Sequence, residues 1–249
     1  MTNKYESFNL EIEDNIANII LSRPEQLNSM SRKFWVELPE ILEEVNRNSE
    51  IRVLIISSTG KHFCAGMDLS AFDNGVANIP KEKRPDNARI GEALYRSAKE
   101  LQEYISKLEK IRVPVIAAIH GGCIGGAVDL VTACDIRLAT TDAFFCIQEI
   151  NIGMAADVGT LQRLPRIIPD SKMRELAYTG RRMLADEAKE SGLVSDVYNS
   201  QEEMVNAAKE MANEIAKKSP IAIYGLKALM NYSRDHTISD SLEFNALWS

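Results

Sequence analysis

The feature that most constrains this chain is a pair of glycine-bearing bends, each placed behind a short apolar run. Residues 113 to 119 (VPVIAAI) have the composition of a strand buried on both faces, and they lead directly into the glycine-rich residues 120 to 126 and then an apolar helical pattern. Residues 53 to 56 (VLII) are a second such run, followed by His62-Phe63-Cys64-Ala65-Gly66-Met67-Asp68-Leu69. Where a bend ends in glycine before a helix, the first N–H groups of that helix lack intrahelical partners and can face an incoming oxygen. A helix N-terminus also favours developing negative charge. Two such loops side by side can make an oxyanion hole; the alternative is that the glycines only permit tight turns and close helix packing.

The rest of the chain reads as strands alternating with helices. Residues 7 to 13 alternate apolar and polar, 16 to 21 are β-branched, and Glu13-Asp14-Asn15 lies between them, which predicts an opening hairpin. Helical spacing starts at Ser31, with Phe34, Trp35, Leu38, Ile41, Leu42 and Val45 on one side in spite of Pro39. Residues 73 to 87 are polar and read as a surface excursion, and 88 to 111 carry the longest helical pattern. Further on, the patterns predict a helix over 126 to 133, a strand over 135 to 138, β pieces at 144 to 147 and 149 to 152, and a helix beginning close to Asp157. This alternation places the chain in the α/β class. Residues 170 to 190, 201 to 217 and 219 to 233 are helical patterns, and an amphipathic segment still runs at Leu247-Trp248-Ser249. The expected division is an α/β core over 1 to 190 and a helical C-terminal region over 191 to 249.

Several function classes are disfavoured. The 249 residues carry 29 Lys plus Arg against 36 Asp plus Glu, a formal charge of −7 without a basic cluster, so no nucleic-acid partner is expected. No apolar run approaches the roughly 20 residues of a membrane-spanning helix. Cys64, Cys123, Cys134 and Cys146 never form C-x-x-C and sit in apolar segments, as small buried side chains do in a reducing compartment. With only His62, His120 and His236, and no zinc, P-loop, nucleophile-elbow or dinucleotide fingerprint, neither metal nor cofactor is expected. The first residues show no secretory or transit pattern, which makes cytoplasm the default location.

Acids sharpen the reading. Asp129 interrupts an apolar sequence, Glu149 lies between Ile147-Gln148 and Ile150, and Asp157 follows Gly153-Met154-Ala155-Ala156. A carboxylate taken out of water has its charged form disfavoured, which suits it to exchanging protons with carbon acids. Other roles stay open: Asp157 as a helix N-cap, Glu149 at an exposed strand edge, Asp129 paired with Arg137 or Arg163.

HFCAGMDL (62 to 69), PVIAAIHGGCIGGAVDLVTACDIR (114 to 137) and the segment 149 to 165 resemble the crotonase (enoyl-CoA hydratase/isomerase) superfamily. Within it, GGAVDLVTACDIR, QEINIG and AADVGTLQRLP are most similar to the Δ3,5-Δ2,4-dienoyl-CoA isomerases. The resemblance implies a superhelix of ββα units, a helical C-terminal region that builds homotrimers or homohexamers, and an acyl-CoA thioester substrate in fatty-acid β-oxidation. Coenzyme A would be part of the substrate, its phosphates met by local cations such as Lys61. It implies Met67 and Gly126 as the oxyanion donors, with Ala65, Gly66, Asp68, Leu69, Ser70 and Ala127 lining the substrate site; Ala127 stands where a glycine is common. Enoyl-CoA hydratases carry glutamates at the positions of Asp129 and Glu149, and glycine at that of Asp157. The implied reaction converts 3,5-dienoyl-CoA to 2,4-dienoyl-CoA, with Asp157 taking the C2 proton, Glu149 returning one at C6 and Asp129 tuning the pair. Hydration of an enoyl-CoA is the alternative.

Overall fold

The computed structural model describes residues 5–68 and 86–249. Strands β1 (Phe8–Glu13) and β2 (Ile16–Leu21) form the opening antiparallel hairpin. Its connection is Asp14 and Asn15, both at positive φ (50° and 67°), the conformation a two-residue hairpin turn demands. Helix α1 (Arg32–Arg47) starts at Ser31, whose side chain accepts the Phe34 N–H, and it buries the apolar face read from the spacing with Pro39 inside the helix.

The order then runs β3 (Val53–Ser58), α2 (Asn87–Lys110), β4 (Val115–Ile119), β5 (Gly122–Ile124), α3 (Gly126–Thr132), β6 (Ile136–Thr140) and β7 (Phe144–Cys146). It continues with α4 (Thr160–Arg163), α5 (Asp170–Thr179), β8 (Met183–Leu184), α6 (Ala185–Glu190), β9 (Asp196–Tyr198), α7 (Gln201–Ala216), α8 (Pro220–Ser233) and α9 (Ile238–Trp248). The main sheet has the order β1-β2-β3-β4-β6-β9, and a smaller sheet has the order β5-β7-β8. β4 belongs to one sheet and β5 to the other, so the bend at His120-Gly121 carries the chain between sheets and delivers α3 behind them. All four cysteines are free and buried.

Two expectations need correction. Residues 149 to 152 are part of a short 3-10 turn (Gln148–Ile152) and not a strand, because Gly153 in the left-handed region closes it locally, donating to the Glu149 and Ile150 carbonyls. The helix expected near Asp157 begins at Thr160, with Gly159 at its N-cap and no side-chain cap, so Asp157 is not a capping residue. Past residue 190, β9 pairs with β6, and Met204, Ala208 and Ala212 of α7 pack against Val53, Ile55, Ile116, Ala118 and Leu138 of the main sheet. Beyond α7, Lys227 of α8 is 4% exposed and donates to the Leu108 and Val113 carbonyls and to Asp135 at 3.0, 2.9 and 2.8 Å. Leu69, Ser70 and all but the last two residues of the polar stretch 73 to 87 lie outside the described residues.

Candidate active site

The two bends are stitched together through their backbones. Phe63 N–H donates to His120 O at 2.8 Å, Cys64 N–H to Gly122 O at 3.1 Å, and Ile124 N–H to Cys64 O at 3.1 Å. Met30 bridges the first bend from its far side: its N–H donates to Gly66 O at 2.8 Å and its carbonyl accepts from Asp68 N–H at 3.2 Å. In that parallel register the Met67 N–H points away from Met30. Among the described residues, neither it nor the Gly126 N–H at the start of α3 has a protein acceptor.

Glycine makes the approach of these two amides possible. Gly66 has φ +87°, and a β-carbon there would lie 2.6 Å from the Ile124 carbonyl oxygen and 3.5 Å from the Gly126 nitrogen. A β-carbon on Gly126 would meet the Met30 sulfur at 2.9 Å and the Met67 nitrogen at 4.0 Å. Both bends therefore present a free donor to one small region. Ala127 is fully buried in the first turn of α3, where its methyl is accommodated. Ala65 and Asp68 flank the donors; the Asp68 carboxylate accepts from Ser29 Oγ at 3.3 Å.

The three acids occupy different environments. Asp129 is 1% exposed; its Oδ1 accepts from the Thr160 N–H and hydroxyl at 2.5 and 2.7 Å, while its Oδ2 is buried without a partner. It pairs with neither arginine: Arg137 donates to the Val131, Cys134 and Leu193 carbonyls, and Arg163 pairs with Glu109 at 2.8 Å. Burial pushes the Asp129 carboxyl up to about 7, opposed by the Thr160 donors and the Arg163 charge and reinforced by Glu149. Glu149 is half-buried, with Oε1 3.2 Å from where a Gly125 β-carbon would stand and Oε2 buried without a partner. Burial raises it, and the Asp157 charge adds to that.

Asp157 departs from expectation: its residue is exposed, because it lies on an outward loop held only through its backbone, where Gln102 Nε2 donates to its carbonyl at 2.7 Å. An apolar cavity of about 520 Å³ is lined by Ile147, Ile150, Met154, Ala156, Leu161 and Tyr178, among others, so that Ile150 and Ala156, the chain neighbours of Glu149 and Asp157, border it. Two free amides near carboxyls whose proton affinity burial has raised suit proton transfer next to a carbonyl that gains negative charge.

Several supporting residues escaped the sequence reading. Thr160 carries both donors to Asp129, and no local pattern marks it. His62 Nδ1 accepts the Gly122 N–H at 2.9 Å and so helps hold the glycine bend; burial, with Lys61 nearby, lowers its proton affinity. Among the described residues no three His, Cys, Asp or Glu side chains gather as a metal site.

Comparison with known proteins follows the same lines. The family described as enoyl-CoA hydratase/isomerase matches residues 11–247. Mitochondrial Delta(3,5)-Delta(2,4)-dienoyl-CoA isomerase of Rattus norvegicus is 44% identical over 247 residues, covering 98% of this chain and 75% of the relative. The peroxisomal enzyme of that name from Arabidopsis thaliana is 42% identical, covering 95% and 84%. The crystal structure of enoyl-CoA hydratase from Bacillus anthracis superimposes with a TM-score of 0.86 at 31% identity, covering 98% of this chain and 89% of the other. These relatives overturn the cytoplasmic default, since they are named as mitochondrial or peroxisomal. Cysteine usage reports a reducing environment and cannot separate such compartments, whose addresses are short segments read by receptors. By sequence and by fold, this chain belongs to the enoyl-CoA hydratase/isomerase (crotonase) family.

Proposed function

We propose that the protein is an acyl-CoA double-bond isomerase that converts 3,5-dienoyl-CoA to 2,4-dienoyl-CoA in fatty-acid β-oxidation. The observation that carries this reading is the convergence of the unpaired Met67 and Gly126 N–H groups with the half-buried Glu149 carboxyl over Gly125. The thioester oxygen accepts from both amides, which makes the C2 protons acidic. Loss of one C2 proton leaves an enolate conjugated with the diene. A proton delivered at C6 moves both double bonds, so one proton leaves, one arrives and no co-reactant is consumed. Coenzyme A enters as part of the substrate, and no further cofactor is required by this chemistry.

Glu149 and Asp157 are the proton-transfer pair. Burial raises the proton affinity of Glu149 and the Asp157 charge adds to this, which suits Glu149 to take up a proton from a carbon acid. What supports giving C2 to Glu149, the reverse of the assignment implied by resemblance, is its place one residue from the Gly126 donor, since C2 is two bonds from the thioester oxygen. Asp157, on the outer loop, then serves C6. Asp129, engaged by Thr160, feels the Glu149 charge and fastens α3 to α4.

Hydration is disfavoured on two grounds. The shorter Asp129 has one oxygen committed to Thr160, so it does not stand ready with Glu149 to hold a water, and identity to the dienoyl isomerases exceeds that to the Bacillus hydratase. The assay is direct: purified protein given 3,5-dienoyl-CoA forms the conjugated 2,4 product, and given crotonyl-CoA hydrates it far more slowly. Rapid hydration without diene conversion would replace this reading. In deuterated water Asp157→Asn keeps exchange at C2 while losing product, and Glu149→Gln loses both; the opposite pattern would return C2 to Asp157.

The reading includes a homotrimer, single or paired as a hexamer, built with the C-terminal helices. What supports it is the exposed apolar surface of α8 and α9, including Ile221, Leu226, Met230, Ile238, Leu242 and Leu247.

A further inference from the structure

Asp157 sits on a loop whose rear face borders a polar cavity of about 510 Å³, lined among others by Gln102, Ser106, Glu109, Gly159 and Arg163. Ala156 and Val158 anchor this loop in the hydrophobic core, and discrete polar ties hold the backbone of residues 157–159 between and beyond them. One is the hydrogen bond from Gln102 of α2 to the Asp157 carbonyl at 2.7 Å. Arg163 of α4 supplies the rest. Its Nη1 donates to the Val158 carbonyl at 3.3 Å, and its Nη2 donates to Ser106 Oγ at 2.9 Å and to Glu109 Oε2 at 2.8 Å. Gly159 has φ +134°, and a β-carbon there would lie 1.7 Å from Arg163 Nη1. The guanidinium thus fills the space of the missing side chain. Arg163 and Glu109 side chains are each 13% exposed, while Arg163 Nε is buried without an acceptor. A buried guanidinium that leaves a donor unsatisfied invites an explanation beyond its own pairing.

We propose that Arg163 is a positioning residue: clamped to Glu109 and Ser106, it holds residues 157–159 from behind and so sets where the Asp157 carboxyl meets the substrate. This inference rests on the isomerase reading and on Asp157 acting at one end of the diene. A planar fork with several donors spans loop carbonyl, hydroxyl and carboxylate at once, which a lysine cannot reproduce. Asp135, Arg137, Arg166, Arg234 and Asp235 line the same cavity as Arg163 and Glu109. Arg163 faces Glu109 of α2, which also pairs with Arg234 beyond α8, and its charge acts on Asp129, which feels Glu149 as well. Losing Arg163 removes an influence that favours ionised Asp129.

The test uses Arg163→Met, Arg163→Lys and Gln102→Ala in the full chain, with 3,5-dienoyl-CoA as substrate. Arg163→Met is expected to lower kcat about 100-fold with KM within about twofold, the loss typical of a group displaced by roughly an ångström. Exchange of deuterium into C2 should persist, because Glu149 is not on the loop. Any inflection that Asp129 contributes to the pH profile should move to higher pH in Arg163→Met and stay in place in Arg163→Lys. Placed in an Asp157→Asn background, Arg163→Met should add less than about threefold, the non-additivity of residues that act through one another. Full additivity, or parallel loss of C2 exchange and product, would overturn the proposal. If both Arg163 variants fail to fold, Gln102→Ala decides: reduced isomerisation with C2 exchange retained supports the brace, and unchanged kcat removes it. A wild-type protein that forms no 2,4-diene would instead defeat the isomerase reading itself.

Discussion

The inner and outer halves of the site are built on opposite principles. The inner half, residues 63–68 and 120–129, is zipped by backbone hydrogen bonds and buried: Asp129 is 1% exposed and Phe63, Cys64 and Cys123 are fully covered. The outer half, residues 153–159, exposes residues 153–155 and Asp157 while Ala156 and Val158 anchor it in the core, and its backbone is tied by side chains from α2 and α4. Rigidity where charge develops and tethered exposure where a proton must be exchanged with water are both useful to an enzyme that shuttles protons. Burial also has a cost that the outer half escapes. Asp129 must be taken out of water, which raises its proton affinity, whereas a substitution at Asp157 removes a side chain that supports nothing else.

The comparison can be broken most severely at the outer half. Asp157→Ala is expected to lower kcat by about 10²- to 10⁴-fold, the range for losing a general acid or base, while the free energy of unfolding changes by no more than about 0.5 kcal/mol. A large stability loss would show that the loop is structural after all. Gly66→Ala strikes the inner half. The added β-carbon meets Ile124 O and a positive φ, so one oxyanion donor is displaced and kcat falls about 10²- to 10³-fold, with stability reduced by about 1–3 kcal/mol. Activity and unfolding measured on the same sample test both parts.

Asp129→Asn sharpens the contrast through pH. Asp129 in the folded protein titrates at about 7, above its ordinary value of 3.8, so the folded state holds the proton between those values and the unfolded state does not. Stability from this group is therefore full below pH 3.8 and declines as pH rises towards 7. An asparagine keeps the acceptor for Thr160 and never ionises. The variant is expected to lose part of its activity yet gain stability relative to wild type at pH 8, by up to a few kcal/mol, with little gain at pH 4. Urea unfolding at the two pH values checks the sign. A variant equally destabilised at both would show that the Asp129 charge is not the cost.

Much of the inner half was legible because its determinants are local. Glycine at positive φ, the apolar strands ahead of each bend and the free N–H groups of a helix start are all properties of consecutive residues, and Asp129 follows Gly126 by one helical turn. The outer half was not legible in the same way. Residues 149 to 152 alternate as a strand would, yet Gly153 closes them into a 3-10 turn. Asp157 lies among small apolar residues, yet it is exposed. The sequence leaves Arg163 open as a partner for Asp129, yet it turns to Glu109, 54 residues earlier.

What the amino-acid order determined by itself is the alternation of strand and helix, the two glycine bends and the identity of three acids near them, since periodicity and backbone freedom are written in neighbouring positions. Only the tertiary structure decided which amides stay unpaired, which acid is buried and which is wet, and which helix braces the outer loop. Those outcomes depend on the packing of α2, α3 and α4, elements far apart in sequence, and on how much water each side chain loses when they meet.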